Sequence, residues 1–229
     1  MTVHRFFVGV DELLGDRFAL PTSIEHQVRG VLRMRDGDRL VLLDGTGAEH
    51  LCHLEGTDCV VEERRSASGE PGHRLTVAQA LLKGDGLEQV VQHGTEVGVA
   101  RFRLVLSERC VARELSPRRL ERLRSIAREA AEQSERGVVP DVDAPVRFAD
   151  AMSPASVLLF ERHRGARLGD QAPPTEILIG PEGGFSPTEV EVATRAGVTI
   201  AGLGPRILRS ETVAVAAAAV ILSRSGDFA

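Results

Sequence analysis

Residues 177–215 read ILIGPEGGFSPTEVEVATRAGVTIAGLGPRILRSETVAV, and no other segment constrains the architecture as tightly. Two short apolar runs, Ile177 to Ile179 and Val198 to Ala201, each break into a glycine-rich turn. The first turn is Gly180-Pro-Glu-Gly-Gly184 and the second is Gly202-Leu-Gly-Pro-Arg206. Between them Ser186-Pro-Thr-Glu189 has the form of a capping box with proline inside it, a specific helix start. Glu211 to Ser223 is alanine-rich and predicts the last helix. Glycines after a strand carry no Cβ, so main-chain N–H and C=O groups can approach a ligand closely. Two such turns predict one pocket built mainly from backbone, at the carboxyl ends of neighbouring strands.

The same alternation extends upstream to Arg74. Leu75 to Leu81 and Phe102 to Leu106 read as strands, as does Val157 to Phe160. Leu87, Val90, Val91, Gly94 and Val97 mark one face of a helix, with Gly98 at its end. Ser116-Pro117 opens a long helix to about Ser134, with Leu120, Leu123, Ile126, Ala127 and Ala130 as its apolar stripe. Strands alternating with helices predict an α/β domain over residues 74–229 with a mainly parallel sheet.

Residues 1–70 read differently, as a small β-rich unit. Thr22-Ser23 predicts a helix through Met34. Strands follow at Asp38 to Leu43, His50 to Leu54 and Cys59 to Glu63, punctuated by Asp36-Gly37 and Asp44-Gly45 turns. The polar run Arg64 to Gly72, RRSASGEPG, predicts the domain boundary.

Composition narrows the function classes. The chain has 229 residues with a net charge of −5, and no window resembles a membrane span or an export signal. The three cysteines, Cys52, Cys59 and Cys110, form no CxxC, which predicts free thiols in a reducing cytoplasm and no metal site. Residues 101–136 hold ten Arg against six Glu, a local excess of four positive charges. Lys83 is the only lysine among 28 basic residues. An arginine-rich surface suits RNA, because guanidinium pairs with phosphate and stacks on bases, whereas codon bias explains the lysine shortage equally well. With no Trp or Tyr, a wide aromatic stacking platform is excluded.

The Gly180–Gly184 turn matches neither GxxxxGK[ST] nor GxGxxG, and Glu182 would repel a phosphate. An adenosine or methionine-type ligand fits better; the bland alternative is a plain strand-to-helix turn. Arg206, Arg209 and Glu211 form a charged cluster before the last helix, readable as a site or as a surface ion pair worth ~0–1 kcal/mol. The remaining histidines show no metal or triad spacing, and no GxSxG serine elbow is present.

Nearly the whole chain resembles the RsmE family, the ribosomal RNA uridine-N3 methyltransferases of the SPOUT (trefoil-knot) class. The likeness runs through His4-Arg5-Phe6-Phe7, Gln27-Val28-Arg29-Gly30-Val31-Leu32-Arg33, Thr95-Glu96-Val97-Gly98-Val99, Ser107-Glu108-Arg109-Cys110 and Ala130-Ala-Glu-Gln133-Ser134. Its most specific parts are Ile179-Gly-Pro-Glu-Gly-Gly-Phe185 and Leu203-Gly-Pro-Arg-Ile-Leu-Arg-Ser-Glu-Thr212. Ser210 and Val213 stand where the family usually has Thr and Ala, and His93 where a lysine is common.

The resemblance implies a PUA-like β-barrel followed by a trefoil-knotted α/β domain, a homodimer, S-adenosylmethionine as methyl donor, and 16S rRNA of the small ribosomal subunit as partner. It assigns the donor to Phe160, Glu161, Ile179, Gly180, Pro181, Glu182, Gly183, Gly184, Leu203, Gly204, Arg206, Ile207, Leu208 and Ser210. Arg209 would stabilise the uracil anion, and Glu182 or Glu211 would take the proton or orient Arg209. His4, Arg5, Arg29, Gln133 and Arg136 are the candidate RNA contacts. Two alternatives stand beside this: a non-catalytic RNA-binding or assembly factor retaining the fold, and a trefoil-knot methyltransferase acting on transfer RNA or a ribose hydroxyl.

Overall fold

The computed structural model describes residues 3–13 and 15–228. It divides into two compact units: residues through Glu70 together with Ala131–Val139, and Pro71–Ala130 together with the residues from Pro140 onward.

The first unit is built on a five-stranded sheet. Its strands are β1 (His4–Phe7), β2 (Arg17–Ala19), β3 (Arg39–Leu43), β4 (Ala48–Glu55) and β5 (Asp58–Ser66), in the order β1-β3-β4-β5-β2. β1 runs parallel to β3, and every other pair is antiparallel. Side chains alternate across a strand, so β3 serves two cores. Leu40 and Leu42 join Phe6, Val28, Cys52, Leu54 and Cys59 on one face. Val41 and Leu43 join Phe7 and Ala131 on the other. Ala131–Val139, far away in sequence, thus supplies part of this unit's second core.

Three expectations change here. The helix predicted from Thr22 to Met34 is α-helical only over Thr22–Glu25 (α1) and π-helical over His26–Val31. Arg29 explains the end of this segment: its guanidinium donates to the Met34 carbonyl at 2.9 Å and also bonds Asp36 and the Gly56 carbonyl, drawing the chain into a turn. β1 and β2 were not anticipated; they are short and flanked by charges, which hides period-two alternation. The polar run from Arg64 begins as strand, since β5 continues to Ser66 opposite Ala48. Its outer residues are exposed, so polarity there marks a solvated strand end.

The second unit carries a seven-stranded sheet in which every pairing is parallel. β6 (Thr76–Ala80), β7 (Arg101–Leu106), β8 (Asp141–Val142), β9 (Val146–Arg147), β10 (Ser156–Leu159), β11 (Glu176–Ile179) and β12 (Thr199–Ala201) are ordered β12-β10-β11-β6-β7-β8, with β9 also beside β7. The helices are α2 (Gly86–Glu96), α3 (Pro117–Gln133), α4 (Phe148–Ala151), α5 (Pro187–Arg195) and α6 (Ser210–Arg224). This is the α/β architecture the alternation predicts. β10 and β11 are buried along almost their whole length, as strands covered on both faces must be. α2 buries Leu87, Val90 and Val91, and Gly98 closes it at φ 101°. The capping box of α5 is present: Ser186 Oγ accepts from Glu189 N at 3.1 Å, and Glu189 Oε2 accepts from Ser186 N at 2.9 Å. Such a cap contributes about 0.5–2 kcal/mol.

Register sets up the site. Gln79, Ile179, Leu159 and Ala201 form one row across β6, β11, β10 and β12. In a parallel sheet all four chains leave that row on the same edge. The segments that follow are the loops beginning at Gly180, Phe160 and Gly202 and the one after Ala80, the last residue of β6.

Candidate active site

Those loops enclose a cavity of about 940 Å³ within the second unit, near the upper end of the range for small-molecule sites. The structure brings together there every residue assigned to the donor. Phe160 and Glu161 leave β10; Ile179, Gly180, Pro181, Glu182, Gly183 and Gly184 leave β11; Leu203, Gly204, Arg206, Ile207, Leu208 and Ser210 lead from β12 into α6. Arg209 and Glu211 line the same space.

The first turn is tight because Gly180 permits it. A Cβ there would lie 3.0 Å from Gly184 C and Phe185 N, so any side chain would force the loop open. The Pro181 carbonyl accepts from Gly184 N at 2.8 Å. Phe185 anchors the turn in the core against Phe148, with ring centroids 5.3 Å apart. Arg109 Nη1 donates to the Gly183 carbonyl at 3.0 Å. Glu108 accepts from Ser186 Oγ at 2.6 Å, and its backbone N–H donates to Glu189 at 2.9 Å. The Ser107-Glu108-Arg109 segment is therefore the brace of this turn.

The second turn is open where the first is closed. Gly204 sits at φ 136°, a conformation that L side chains rarely adopt, with nothing within 4 Å of a hypothetical Cβ. Arg209 is the N-cap residue of α6 with extended backbone, and its side chain is exposed.

Three donors and acceptors stitch the turns together. Ser210 Oγ donates to the Gly180 carbonyl at 2.6 Å and accepts from Gln79 Nε2 at 2.9 Å. Ser210 thus supplies the hydroxyl that the usual threonine would offer. Gln79 is fully buried on β6, and its Oε1 finds no hydrogen-bond partner. Glu182 Oε1 accepts from the backbone N–H of Lys83 at 3.0 Å, so one of its oxygens latches the loop after β6. A Cβ on Gly184 would meet Glu161 Oε1 at 3.0 Å, which places that carboxylate against the first turn.

Sequence reasoning missed one wall. Lys83, Gly84 and Asp85 from the loop after β6, with Gly86 and Gln89 from the start of α2, line the cavity. No motif marked them, and the only available signal was the isolation of Lys83 in an arginine-dominated chain.

The candidate RNA contacts lie in the first unit and fare unevenly. His4 and Gln133 are exposed. Arg136 is 2% exposed and its guanidinium pairs with Glu70 at 3.0 Å, so its assignment as an RNA contact is corrected to a structural ion pair. The Arg5 side chain is 12% exposed and pairs with Glu49 and Glu135, and it too is held by the protein rather than offered to RNA. Arg29 is half-buried in the turn described above.

Burial pushes the thiols up, Cys52 to about 12 and Cys59 to about 11, with Cys110 raised for the same reason. Among the described residues no group of three His, Cys, Asp or Glu side chains could hold a metal ion, and no helix is long and apolar enough to cross a membrane.

Comparison with known proteins is consistent with this geometry. A family model described as an RNA methyltransferase domain matches residues 69–222, and one described as an RNA methyltransferase PUA domain matches residues 31–61. Ribosomal RNA small subunit methyltransferase E of Synechocystis is 34% identical over 234 residues, covering 95% of this chain and 77% of the relative. The protein of the same name from Bacillus subtilis is 30% identical over 227 residues, covering 89% of each. The crystal structure of ribosomal RNA small subunit methyltransferase E from Neisseria gonorrhoeae bound to S-adenosyl methionine superimposes with a TM-score of 0.87 at 30% identity, over 97% of this chain and 98% of that one. The chain belongs to this RNA methyltransferase family, whose relatives are the ribosomal RNA small subunit methyltransferase E proteins.

Proposed function

We propose that the chain methylates N3 of a uridine in the 16S rRNA of the small ribosomal subunit, with S-adenosylmethionine as donor. The observation that carries this is the convergence of both glycine turns on one cavity at the ends of four parallel strands. The relatives' names and the donor bound to the Neisseria gonorrhoeae protein supply the chemistry.

The residues present fit such a donor. Backbone at Gly180–Gly184 and Leu203–Leu208 can grip an adenosine and a methionine chain without phosphate-binding charges. When bound, the donor supplies an electrophilic methyl on a sulfonium; its C–S bond breaks as the N3–C bond forms, and the N3 proton leaves. Uridine N3 is a poor nucleophile until that proton departs, so cations facing O2 and O4 lower the barrier. Arg209, exposed at the cavity with no ion-pair partner among the described residues, fills that role. Glu211 remains the candidate proton acceptor, since Glu182 is engaged as a latch. N3 lies on the Watson–Crick edge, so the uridine must be unpaired or flipped out.

We extend the proposal to the architecture. The first unit forms a PUA-like barrel, a reading supported by the matching family model. The second is read as trefoil-knotted; in support, Gly202 N donates to the Ala166 carbonyl and Leu168 N to the Gly202 carbonyl, both at 2.9 Å, so residues 166–168 run beside the turn after β12. The chain works as a homodimer, for which the half-buried Ala216 and Ala219 of α6 and the 80% exposed Ile207 at the cavity provide a surface. RNA contact in the first unit falls to His4 and Gln133.

Nucleoside mass spectrometry of 16S rRNA from a deletion strain tests the activity. N3-methyluridine should vanish and return with the intact gene; an unchanged level would overturn the assignment.

A further inference from the structure

We propose that Lys83 is a second cation facing the methyl-accepting base, and that its ammonium, rather than a guanidinium, is what the reaction requires. This rests on the methyltransferase reading above and adds to the lining of its cavity a residue from the loop after β6.

The first observation is compositional. All other 27 basic residues of the chain are arginine, so Lys83 alone offers an ammonium. That place is the lining of the cavity. An ammonium is a compact, strongly hydrated point charge with three rotatable donors, whereas guanidinium is a rigid plane with a fixed fork. A uracil losing its N3 proton spreads charge onto O2 and O4. A point charge can meet either oxygen edge-on in a confined space, where a plane needs a matched pair of acceptors.

The second observation is mechanical. Lys83 is exposed, yet its backbone is pinned from every side. Leu81 and Leu82 before it are 0% and 1% exposed. Gly86 and Leu87 after it are buried at the start of α2. Glu182 holds its N–H at 3.0 Å, and Arg119 holds the next carbonyl, Gly84 O, at 2.5 Å. The Glu182 bond ties Lys83 directly to the donor turn. An exposed ammonium whose backbone is tied to the donor turn is the arrangement expected of a group that must meet a reacting base.

The third observation is that this charge is uncommitted. Among the described residues nothing pairs with the Lys83 side chain. The charges sharing its cavity are Asp85 on its own loop, Glu161 and Arg162 after β10, Glu182 after β11, and Arg206, Arg209 and Glu211 around the start of α6. Four cations balance four anions, so a base losing a proton adds negative charge to a neutral cavity and gains from each unpaired cation.

The test compares Lys83→Met and Lys83→Arg with wild type on unmethylated small subunits. Three quantities are read: donor affinity by calorimetry, subunit affinity by filter retention, and turnover against pH. Both variants should bind donor and subunits within about threefold of wild type, yet turn over roughly 100-fold or more slowly near neutral pH, the scale of losing one charge-stabilising donor. The deficit of Lys83→Met should shrink as pH rises, because the base then loses its proton unaided. Turnover of Lys83→Arg within threefold of wild type would overturn the requirement for an ammonium. A loss carried by subunit affinity would make Lys83 a phosphate contact, and a loss of donor affinity or a deficit constant with pH would make it structural; each overturns the proposal. Failure of wild type itself to bind donor would instead bring down the methyltransferase reading, and the two results are distinct.

Discussion

Gly204 and Arg209 stand five residues apart in one turn and fail in different ways when changed. At φ 136° Gly204 has open space around it, so valine there strains the backbone and projects into the cavity rather than into the core. Gly204→Val should weaken S-adenosylmethionine binding by at least about tenfold, roughly 1.4 kcal/mol, while circular dichroism shows the fold retained. Normal calorimetric affinity would remove this turn from the donor site. Arg209→Ala should leave donor affinity intact and lower turnover on small subunits by about 10²-fold, the usual cost of losing one group that stabilises developing charge. Unchanged turnover would exclude Arg209 from the chemistry. Both residues were legible in the sequence, because glycines after apolar runs and a charged cluster before a helix are local signals. Gln79 was not. Its bond to Ser210 spans 131 positions, and a glutamine in a strand carries no mark of what it will meet. Arg136 misled for the opposite reason: an arginine at a helix end looks solvated until Glu70 is found beside it.

At the scale of elements, five strands of the parallel sheet and its four longer helices followed from alternation and caps, since burial on both faces and capping leave plain sequence traces, whereas β8, β9 and α4, two to four residues each, were not anticipated. The small sheet was harder. β1 is four residues long and its strand character comes from pairing with β3, thirty-odd positions away. That pairing places Arg5 beside Glu49, which also meets Arg65. Burial pushes the Glu49 carboxyl up, but the Arg5 and Arg65 guanidiniums prevail and hold it below its ordinary 4.5. A carboxylate lowered in the folded state contributes stability above its unfolded value and loses it as pH falls through the folded value. Stability from this pair is therefore full above about pH 4.5 and declines below it. Glu49→Gln should cost about 1–3 kcal/mol at neutral pH, because it removes charge-assisted bonds to Arg5 and Arg65 while Arg5 keeps Glu135, and should flatten the acid limb of the denaturation curve. A variant with the same acid slope as wild type would show that Glu49 does not set it.

Across the whole molecule, the three thiols share one fate. Cys52, Cys59 and Cys110 are free and buried, and burial holds each thiol protonated. Titration with an aromatic disulfide should find no fast-reacting thiol in the native protein and three in denaturant. A rapid native burst would mean that one of these cores opens readily.

The composition of the first unit carries a consequence for how the protein is made. Its second core needs Ala131 from the far side of a sixty-residue excursion, and Val139 packs there too. The nascent chain cannot complete this unit when residue 70 leaves the ribosomal tunnel. It must wait until residue 139 has emerged, by which time β6, α2, β7 and α3 are already outside. At about 5–20 residues per second that is a delay of several seconds with Phe7, Val41 and Leu43 uncovered. A gene cut after codon 70 would leave them uncovered permanently, yielding a fragment prone to clump.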